Sequence, residues 1–305
     1  QETLKEHIDI QFNTEVEDII VEDNTIKGIK LAKGDIITAS RVLLAPGRDG
    51  ATWLDAIFKK HGLDLYNNQV DIGVRVETSN IVMDEINKNL YEGKFIYNTS
   101  VGTRVRTFCS NPSGHVVIEN HEGTMMANGH AYHDPKLGSD NTNFALLVSH
   151  VFSEPFNQPN EFAHQVAQLA NKLSNGSIIV QRYGDIQKGR RTTEKRLKEG
   201  YTVPTLPEAG PGDLGLVLPY NTMKSIVEMI EALDHVTPGI ANEHTLLYGV
   251  EAKFYSARPK VREGFETLVD GLYVAGDGAG LTRGLAQAGA NGILVARDII
   301  KRLGE

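Results

Sequence analysis

The start of the chain alternates between apolar and polar side chains in the manner of half-buried β-strands. Residues 8–12 have the two-residue repeat of a strand. Short apolar runs follow at residues 16–21, 26–31 and 35–39, and turn-forming residues separate them. This pattern predicts a strand over 8–12, followed by a β-meander.

Longer segments repeat their apolar residues every three to four positions, as amphipathic helices do. Residues 223–233 and 284–303 show this repeat, and residues 49–61 and 161–173 are also predicted to be helical, with Asp49 as an N-cap. The last helix is expected to bury one of its faces. That face consists of Leu285, Gly289, Ile293, Ala296, Ile300 and Leu303.

Two wholly apolar runs end in glycine turns near opposite ends of the chain. Residues 42–45 (Val-Leu-Leu-Ala) end at Pro46-Gly47, and residues 272–275 (Leu-Tyr-Val-Ala) end at the glycine-rich segment 276–280. Continuous apolar runs of this length are typical of strands that are buried on both faces in a parallel sheet. We therefore expect residues 45–47 and 276–289 to meet in space.

The segment between these two runs is rich in short strands and has no internal repeat. The expected fold class is therefore α/β, with an α+β insert. One discontinuous domain, residues 1–70 with 251–305, would be interrupted by an inserted domain of residues 71–250.

Composition narrows the function classes. The chain has 305 residues and a net charge of −8, which argues against a general nucleic-acid or membrane-surface binder. Its densest basic tract, residues 188–191 (Lys-Gly-Arg-Arg), is short, and a solvated loop is the favoured interpretation. No apolar run approaches the roughly 20 residues of a membrane span. The single cysteine, Cys109, excludes internal disulfides and is compatible with a cytoplasmic protein.

The residues after the second apolar run are suited to ligand binding. The carboxyl end of a buried parallel strand lies at the ligand crevice of an open α/β sheet. Glycines there allow a ligand to approach the backbone, and the carboxylate of Asp277 can accept hydrogen bonds from sugar-like hydroxyls. The following helix presents unpaired N–H groups. The alternative explanation for so many small residues is ordinary packing of the helix on the sheet.

The order of these segments resembles a known family. It is similar to the C-terminal two-thirds of a glutathione-reductase-type FAD-binding protein. More closely, it resembles the bacterial family of uncharacterised FAD-dependent dehydrogenases, which is related to the HI0933-like flavoproteins. Further matching segments are residues 107–117, 128–133, 143–148 and 247–252, so the resemblance extends over nearly the whole chain.

The resemblance implies FAD as the cofactor, bound to a Rossmann-like domain. Val16 would meet the adenine, Ala45 and Gly47 would border the nucleotide, and Gly276 and Asp277 would hold the ribityl chain. Residues 284–289 would lie beside the isoalloxazine ring. The implied FAD-binding residues are Val16, Ala45, Gly47, Gly276, Asp277, Gly278, Gly284, Leu285, Ala286, Gln287, Ala288 and Gly289.

The chain departs from this family at its start. The pyrophosphate-binding motif G-x-G-x-x-G does not occur in the sequence, and the chain does not begin with methionine. We therefore expect an N-terminally truncated protein that lacks the first βαβ unit, and we expect this chain alone to bind FAD weakly or not at all. Position 111 is Asn, and the related pattern often has a second cysteine nearby, which puts dithiol chemistry in doubt.

Catalytic candidates are weaker than the cofactor-binding residues. Lys253 and Tyr255 follow a segment that is expected to re-enter the cofactor domain. Arg104, Arg106 and His133 are further polar candidates, for which a structural role is the favoured alternative. Cys109 is interpreted as a small buried residue rather than a redox thiol. The spacing of the histidines at 115, 121, 130 and 133 matches no metal-ligand motif, so no metal site is expected.

Three functions remain open. The leading hypothesis is an FAD-dependent oxidoreductase that transfers a hydride or an electron pair to or from an unknown small molecule, with an unknown electron donor. The second is a flavin-dependent RNA-modifying protein, against which the acidic charge speaks. The third is a binding module without cofactor. No membrane partner is expected, and the oligomeric state is left open.

Overall fold

The computed structural model describes residues 6–47, 50–66, 69–90, 92–121, 123–153, 155–156, 158–255, 258–282 and 284–304. The chain divides into two compact units. The first unit contains Gln1–Asn68 and Tyr255–Glu305, and the second contains Gln69–Phe254. The second boundary differs by four residues from the one expected at 250/251, because that position falls inside a continuous strand, Leu246–Lys253.

The structure is a mixed α/β fold. Its strands are β1 (Val16–Glu22), β2 (Thr25–Leu31), β3 (Ile36–Thr38), β4 (Val42–Leu44), β5 (Leu65–Tyr66), β6 (Val70–Ser79), β7 (Ile96–Asn98), β8 (Arg104–Asn111), β9 (His115–His121), β10 (Thr124–His130), β11 (Asn141–His150), β12 (Ile179–Arg182), β13 (Gly210–Pro211), β14 (Leu246–Lys253), β15 (Arg258–Pro259) and β16 (Leu272–Val274). Its helices are α1 (Ala51–Lys60), α2 (Asn80–Asn89), α3 (Pro159–Leu173), α4 (Tyr183–Gln187), α5 (Glu194–Lys198), α6 (Tyr220–Asp234) and α7 (Leu285–Leu303). Short 3₁₀ turns occur at Pro135–Leu137, Leu214–Leu216, Glu263–Phe265 and Asp277–Ala279.

The predicted meander is confirmed as the antiparallel sheet β1-β2-β3. The strand predicted over residues 8–12 is wrong. Those residues are irregular, and the side chains of Ile8 and Phe12 are 50% and 64% exposed. Alternation alone does not make a strand, since the backbone also needs the edge of a partner strand to satisfy its hydrogen bonds.

The core of the first unit is built where β4 and β16 pair in parallel, with Leu44 opposite Val274. These two strands pack with β1, β2 and α1 through Ile19, Ile26 and Phe58. Residues 272–274 are fully buried, as predicted, but Leu43 in β4 is 41% exposed, so β4 is not buried on both faces. Helix α1 begins at Ala51, and the predicted N-cap Asp49 lies outside the described residues.

Helix α7 forms where the sequence predicts it, but the opposite face is buried. All six residues of the predicted buried face are exposed, and the helix instead buries Asn291 and Val295. Val295 and Ile299 pack with Tyr273 and Ala275. Polar contacts determine this orientation, because Asn291 accepts a hydrogen bond from the Gly276 amide and Arg302 contacts Glu266.

The second unit is organised around a seven-stranded sheet with the order β13-β12-β14-β6-β11-β8-β7. All of its strand pairs are antiparallel except β12 with β13. In the central strand β6, Val70, Ile72, Val74 and Val76 pack on one face against residues of α2, α3 and α6. The alternating polar residues of β6 lie on the other face, where the two-stranded ribbon β9–β10 also lies.

Candidate functional site

The turns after β4 and β16 come together in the first unit, as the sequence predicts. The parallel pairing continues one residue beyond the strands, because the amide of Ala275 donates to the carbonyl of Leu44 over 3.0 Å. Gly47 and Gly276 then adopt φ angles of +70° and +80°. This is the left-handed region, which glycine enters at little cost.

A close backbone contact joins the two turns. A Cβ atom added to Gly278 would lie 2.1 Å from the carbonyl oxygen of Gly47. By contrast, apart from their chain neighbours, no atom of the described residues lies within 4 Å of the Cβ position of Gly47 or Gly276, so these two glycines are open on that side. The turns therefore touch through Gly278 and leave an open backbone surface at the carboxyl ends of both strands.

Asp277 begins the 3₁₀ turn Asp277–Ala279, directly after β16. Its carboxylate accepts a hydrogen bond from the Thr282 hydroxyl, and the residue is half-buried. The amide of Gly276 donates to Asn291 Oδ1 over 2.8 Å. The turn is thus linked to α7 by a side chain of that helix.

The first turns of α7 are open. Leu285 is 94% exposed, and Ala286, Gln287 and Gly289 are also exposed, while Ala288 is half-buried. A Cβ atom at Gly284 or Gly289 would meet no atom within 4 Å in the part of the chain that the structure describes. Val16 begins β1 and lies opposite Leu31 of β2. The structure gives no contact between Val16 and the two glycine turns, and its role with adenine rests on the resemblance alone.

These residues fit the cofactor that the resemblance implies. Gly47, Gly276 and Gly289 leave room for a flat group beside the backbone, and Asp277 is a carboxylate at the end of a buried strand. The amino-terminal end of α7 carries a partial positive charge, which suits an electron-rich ring edge. The site residues of the first unit therefore have the chemistry needed to hold FAD.

A buried polar network in the second unit is absent from the sequence-based candidates. Arg75 and Glu251 are both 0% exposed and form a two-pronged ion pair, with N···O distances of 2.8 Å on each prong. Arg75 also donates to the carbonyl of Cys109 and to the side chains of Asn128 and Asn143. The sequence signal for this network is the strict alternation of apolar and polar residues in β6. The polar residues of such a strand are, however, expected to face solvent unless another element covers them.

The ribbon β9–β10 is that covering element. A Cβ atom at Gly129 would lie 2.2 Å from Asn143 Oδ1 and 2.7 Å from Arg75 Nη1, so only glycine lets the ribbon lie this close to the sheet. Asn128, its neighbour on β10, links Arg75 to Glu119 on β9. The ribbon therefore closes this face of the sheet through side-chain hydrogen bonds and also through apolar contacts, since Val116 and Ala127 pack with Val180, Leu246 and Tyr248.

Glu77 lies on the same face and is fully buried. Burial raises the pKa of its carboxyl group, although hydrogen bonds donated by Thr205, Tyr248 and Asn141 act in the opposite direction. A carboxyl group whose pKa is higher in the folded protein contributes stability below its unfolded-state pKa, near 4.5, and this contribution is lost as the pH rises through the folded-state pKa.

We therefore expect Glu77→Gln to change the pH dependence of stability. Relative to this variant, the wild-type protein should lose free energy of unfolding as the pH rises above 4.5, because its Glu77 carboxyl group must then ionise in a buried position and the amide of the variant does not. Urea unfolding followed by circular dichroism at several pH values measures the difference. Parallel pH profiles for the two proteins would contradict the assignment.

The catalytic candidates lie at the end of β14. The ammonium group of Lys253 is 3.7 Å from Glu251 Oε1 and 4.0 Å from Glu119 Oε2. It also lies 5.9 Å from the centroid of the Phe108 ring. Tyr255 follows two residues later, in the first unit, and is half-buried. Lys253 and Tyr255 remain predictions as catalytic residues.

The other polar candidates have structural or surface positions. Arg106 donates to the buried carboxylate of Asp71 over 2.6 Å, which is the structural role that the sequence favoured. Arg104 and His133 are exposed. Among the described residues, no cluster of three or more histidine, cysteine or carboxylate side chains could hold a metal ion.

Cys109 is not buried, in contrast to the prediction. It lies where β8 is out of register with β11, and its φ angle is +46°. This irregularity takes the side chain out of the regular alternation of the strand. Partial burial of the thiol raises its pKa, and the nearby Arg75 and Lys253 only partly offset that effect. The thiol is therefore mostly protonated at neutral pH.

Comparison with known proteins gives one family and several distant relatives. Residues 69–254 match the family described as FAD-dependent protein, C-terminal domain-like. An uncharacterized protein of Clostridium beijerinckii is 29% identical over 318 residues, which is 96% of this chain and 57% of that protein. The chain thus spans little more than half the length of this relative.

Solved structures are more distant. An oxidoreductase from Methanosarcina mazei is 15% identical, covers 94% of this chain and 49% of its own, and has a TM-score of 0.29. A mutant of the E. coli quinol fumarate reductase FrdA is 14% identical, covers 95% of this chain and 44% of its own, and has a TM-score of 0.34. PqsL, a probable FAD-dependent monooxygenase from Pseudomonas aeruginosa, is 13% identical, covers 93% of this chain and 51% of its own, and has a TM-score of 0.31.

In the part of the chain that the structure describes, no helix has both the length and the apolar character needed to span a membrane.

The segments in the middle of the chain on which the family resemblance depends all lie in the second unit, on β8, β9, β10, β11 and β14. The matched region covers the whole of that unit and more than half of the chain. The chain therefore belongs to the family of FAD-dependent proteins with this C-terminal domain.

Proposed function

We propose that this chain is part of an FAD-dependent oxidoreductase that acts on a small molecule. The first unit would hold FAD, and the second would select the substrate. The observation that carries the proposal is the meeting of the two glycine turns at the carboxyl ends of β4 and β16, in a chain whose second unit belongs to an FAD-dependent family.

FAD, when bound, supplies hydride or electron-pair transfer. The role of this chain is to bind and orient the cofactor. Gly47 and Gly276 would let the cofactor approach the backbone, and Asp277 would accept hydrogen bonds from ribityl hydroxyls. The open surface at the start of α7 would lie beside the ring, where the helix N-terminus favours negative charge.

The finer features of this function also belong to the proposal. They are a dehydrogenase or reductase reaction, a cytoplasmic location, a Rossmann-like cofactor domain made of residues 1–70 with 251–305, and a substrate domain made of residues 71–250. The substrate is a small molecule in this proposal, because the acidic net charge disfavours nucleic acid as the substrate of the flavin, and the electron donor is left open.

Asp277→Ala tests the cofactor site. In the whole protein, we expect this variant to bind FAD about tenfold to a hundredfold more weakly, because a hydrogen bond to a charged acceptor is worth ~1.5–3 kcal/mol. The measurement is a titration with FAD, followed by the visible absorption of the flavin and by calorimetry. Asp35→Ala, which removes the same side chain from the turn before β3, should bind FAD like the wild-type protein.

Two outcomes would count against the proposal. If the wild-type whole protein binds no flavin even at millimolar FAD, the chain is better explained as a binding module without cofactor. If Asp277→Ala and Asp35→Ala bind FAD equally well, Asp277 does not contact the ribityl chain.

A further inference from the structure

A second cluster of charged residues lies in the second unit, around the basic tract that the sequence favours as a solvated loop. Between residues 188 and 198 the chain has six cationic side chains and one carboxylate, although its net charge is −8. The cationic residues are Lys188, Arg190, Arg191, Lys195, Arg196 and Lys198. The structure gives this tract a buried neighbour, Arg182, which changes its interpretation.

Arg182 ends β12, and its side chain is only 8% exposed. Its guanidinium donates to the Arg196 carbonyl over 3.2 Å and contacts His244 Nδ1 over 3.1 Å. Neither of these partners is a carboxylate. The Nε–H group is buried and has no hydrogen-bond acceptor among the described residues. A buried cation is costly unless it is paired, so this guanidinium is incompletely compensated.

The carboxylate nearest to Arg182 cannot fully compensate it. Glu243 Oε2 is 3.6 Å from Arg182, and the same oxygen is 3.5 Å from the ammonium of Lys188. The Glu243 side chain is 52% exposed, so water weakens both attractions. One half-solvated carboxylate is therefore shared by two cations.

The second carboxylate of the cluster is already engaged. Asp185 is buried and accepts hydrogen bonds from Arg190 Nε over 2.7 Å and from the Thr192 hydroxyl over 2.8 Å. Arg196 lies farther from it, at 3.9 Å, and donates instead to the carbonyl of Arg191. Arg191 itself is exposed and forms no ion pair with the described residues. The carboxylates of Asp185 and Glu243 are thus shared by four cations, Arg182, Lys188, Arg190 and Arg196, and Arg191 pairs with neither of them.

An exposed aromatic ring borders this excess of positive charge. Tyr201 is 87% exposed, and its ring packs edge-on against His244, with centroids 4.5 Å apart and an interplanar angle of 67°. His244 is the residue whose other contact is Arg182. One face of the Tyr201 ring is therefore available beside the cationic cluster, and nucleobases stack on such faces.

We propose that Arg182, Arg191, Arg196, His244 and Tyr201 form a nucleotide-binding site. The phosphate group would lie against the arginines, whose guanidinium groups match phosphate oxygens in pairs, and the base would stack on Tyr201. The nucleotide is either a free mononucleotide or part of a single-stranded RNA, since both offer the same phosphate and base. The site lies within the second unit and does not depend on the FAD site proposed for the first.

Calorimetric titrations at low salt with ADP, with inorganic pyrophosphate and with a single-stranded RNA oligonucleotide test the proposal. Arg191→Gln and Arg196→Gln should each weaken binding of all three probes about tenfold, as expected for one charge-assisted contact. Lys172→Gln, which removes an exposed lysine from α3, is the matched control and should leave binding unchanged. Arg182→Gln is a less suitable variant, because a buried side chain can also affect folding.

Variants of Tyr201 distinguish binding of the base from binding of the phosphate. Tyr201→Ala should weaken binding of ADP and RNA about tenfold and leave pyrophosphate binding unchanged, whereas Tyr201→Phe should retain both. RNA would be identified as the source of the nucleotide if the oligonucleotide binds more tightly than ADP. The slope of the logarithm of its binding constant against the logarithm of the salt concentration should then decrease in magnitude by about one unit for each arginine removed. Binding of ADP at least as tight as RNA would identify a free nucleotide.

Three results would overturn the proposal. The first is that neither ADP nor the oligonucleotide binds the wild-type protein at low salt. The second is that Lys172→Gln weakens binding as much as the arginine variants do, which would indicate only general attraction of anions. The third is that Tyr201→Ala binds ADP normally, which would remove the base from the site.

Discussion

Arg75→Met is expected to destabilise the second unit by about 3–5 kcal/mol, because it leaves a buried carboxylate without its partner. Glu251 is 0% exposed, and its two oxygens accept from Arg75 over 2.8 Å each. The next cation, Lys253, is 3.7 Å away and cannot replace this pair of hydrogen bonds. The side chains of Asn128 and Asn143 and the carbonyl of Cys109 would also lose a donor.

Urea unfolding followed by circular dichroism measures this loss. Trp53, the single tryptophan, lies in α1 of the first unit, so its fluorescence provides a separate report on that unit. We expect the Arg75 variant to shift the circular dichroism transition and to leave the Trp53 transition largely in place.

A double variant distinguishes an unpaired charge from lost packing. Arg75→Met combined with Glu251→Met removes both charges, and such replacements of buried ion pairs are often close to neutral. The double variant should therefore be more stable than Arg75→Met alone, although the two asparagines still lack their donor. If the two substitutions simply add, the ion pair is not the source of the effect.

Gly278→Ala is expected to disrupt the contact between the two glycine turns and to cost about 3 kcal/mol, the upper part of the range for overpacked positions. The new Cβ atom would lie 2.1 Å from the carbonyl oxygen of Gly47 and 2.9 Å from its carbonyl carbon. Both are backbone atoms, so no side-chain rotation can relieve the overlap. The turns must separate, and the carboxyl ends of β4 and β16 must move with them.

The Trp53 transition in urea should report this loss, because α1 packs in the same core as β4 and β16. The same variant should also weaken the binding of FAD by the whole protein. Gly292→Ala, outside the proposed FAD site, is the matched control: its Cβ atom would meet nothing within 4 Å among the described residues, and alanine in place of glycine in a helix gains up to about 1 kcal/mol. Equal stability of Gly278→Ala and the wild-type protein would show that the turns do not need to touch.

Most of the larger elements of the first unit, though not the strand expected over residues 8–12, could be predicted from the sequence because each depends on a local pattern. Period-two alternation bounded by turn residues specifies the meander β1-β2-β3. Two wholly apolar runs ending in glycine specify that β4 and β16 lie side by side. From these, the meeting of residues 45–47 with Gly276 and Gly278 follows without further information, since parallel strands end at the same edge.

Other features depended on which element covers which surface. The sequence indicated that α7 has an apolar stripe, but its buried face is the one with Asn291 and Val295, because Asn291 and Arg302 bond to the turn and to Glu266. Likewise, the alternation of β6 specified a polar face and could not indicate that it is buried. That outcome requires Gly129 and Asn128 on a ribbon distant in sequence.

What the sequence by itself determined is therefore the type and order of most elements and the joining of the two glycine turns, because hydrophobic periodicity and turn chemistry act over a few neighbouring residues. Only the tertiary structure decided the buried partner of Arg75, the incomplete pairing of Arg182 and the exposure of Cys109. The cost or benefit of a charge depends on how much water remains around it and on which charges lie within a few ångströms. Both are set by residues far apart in the chain.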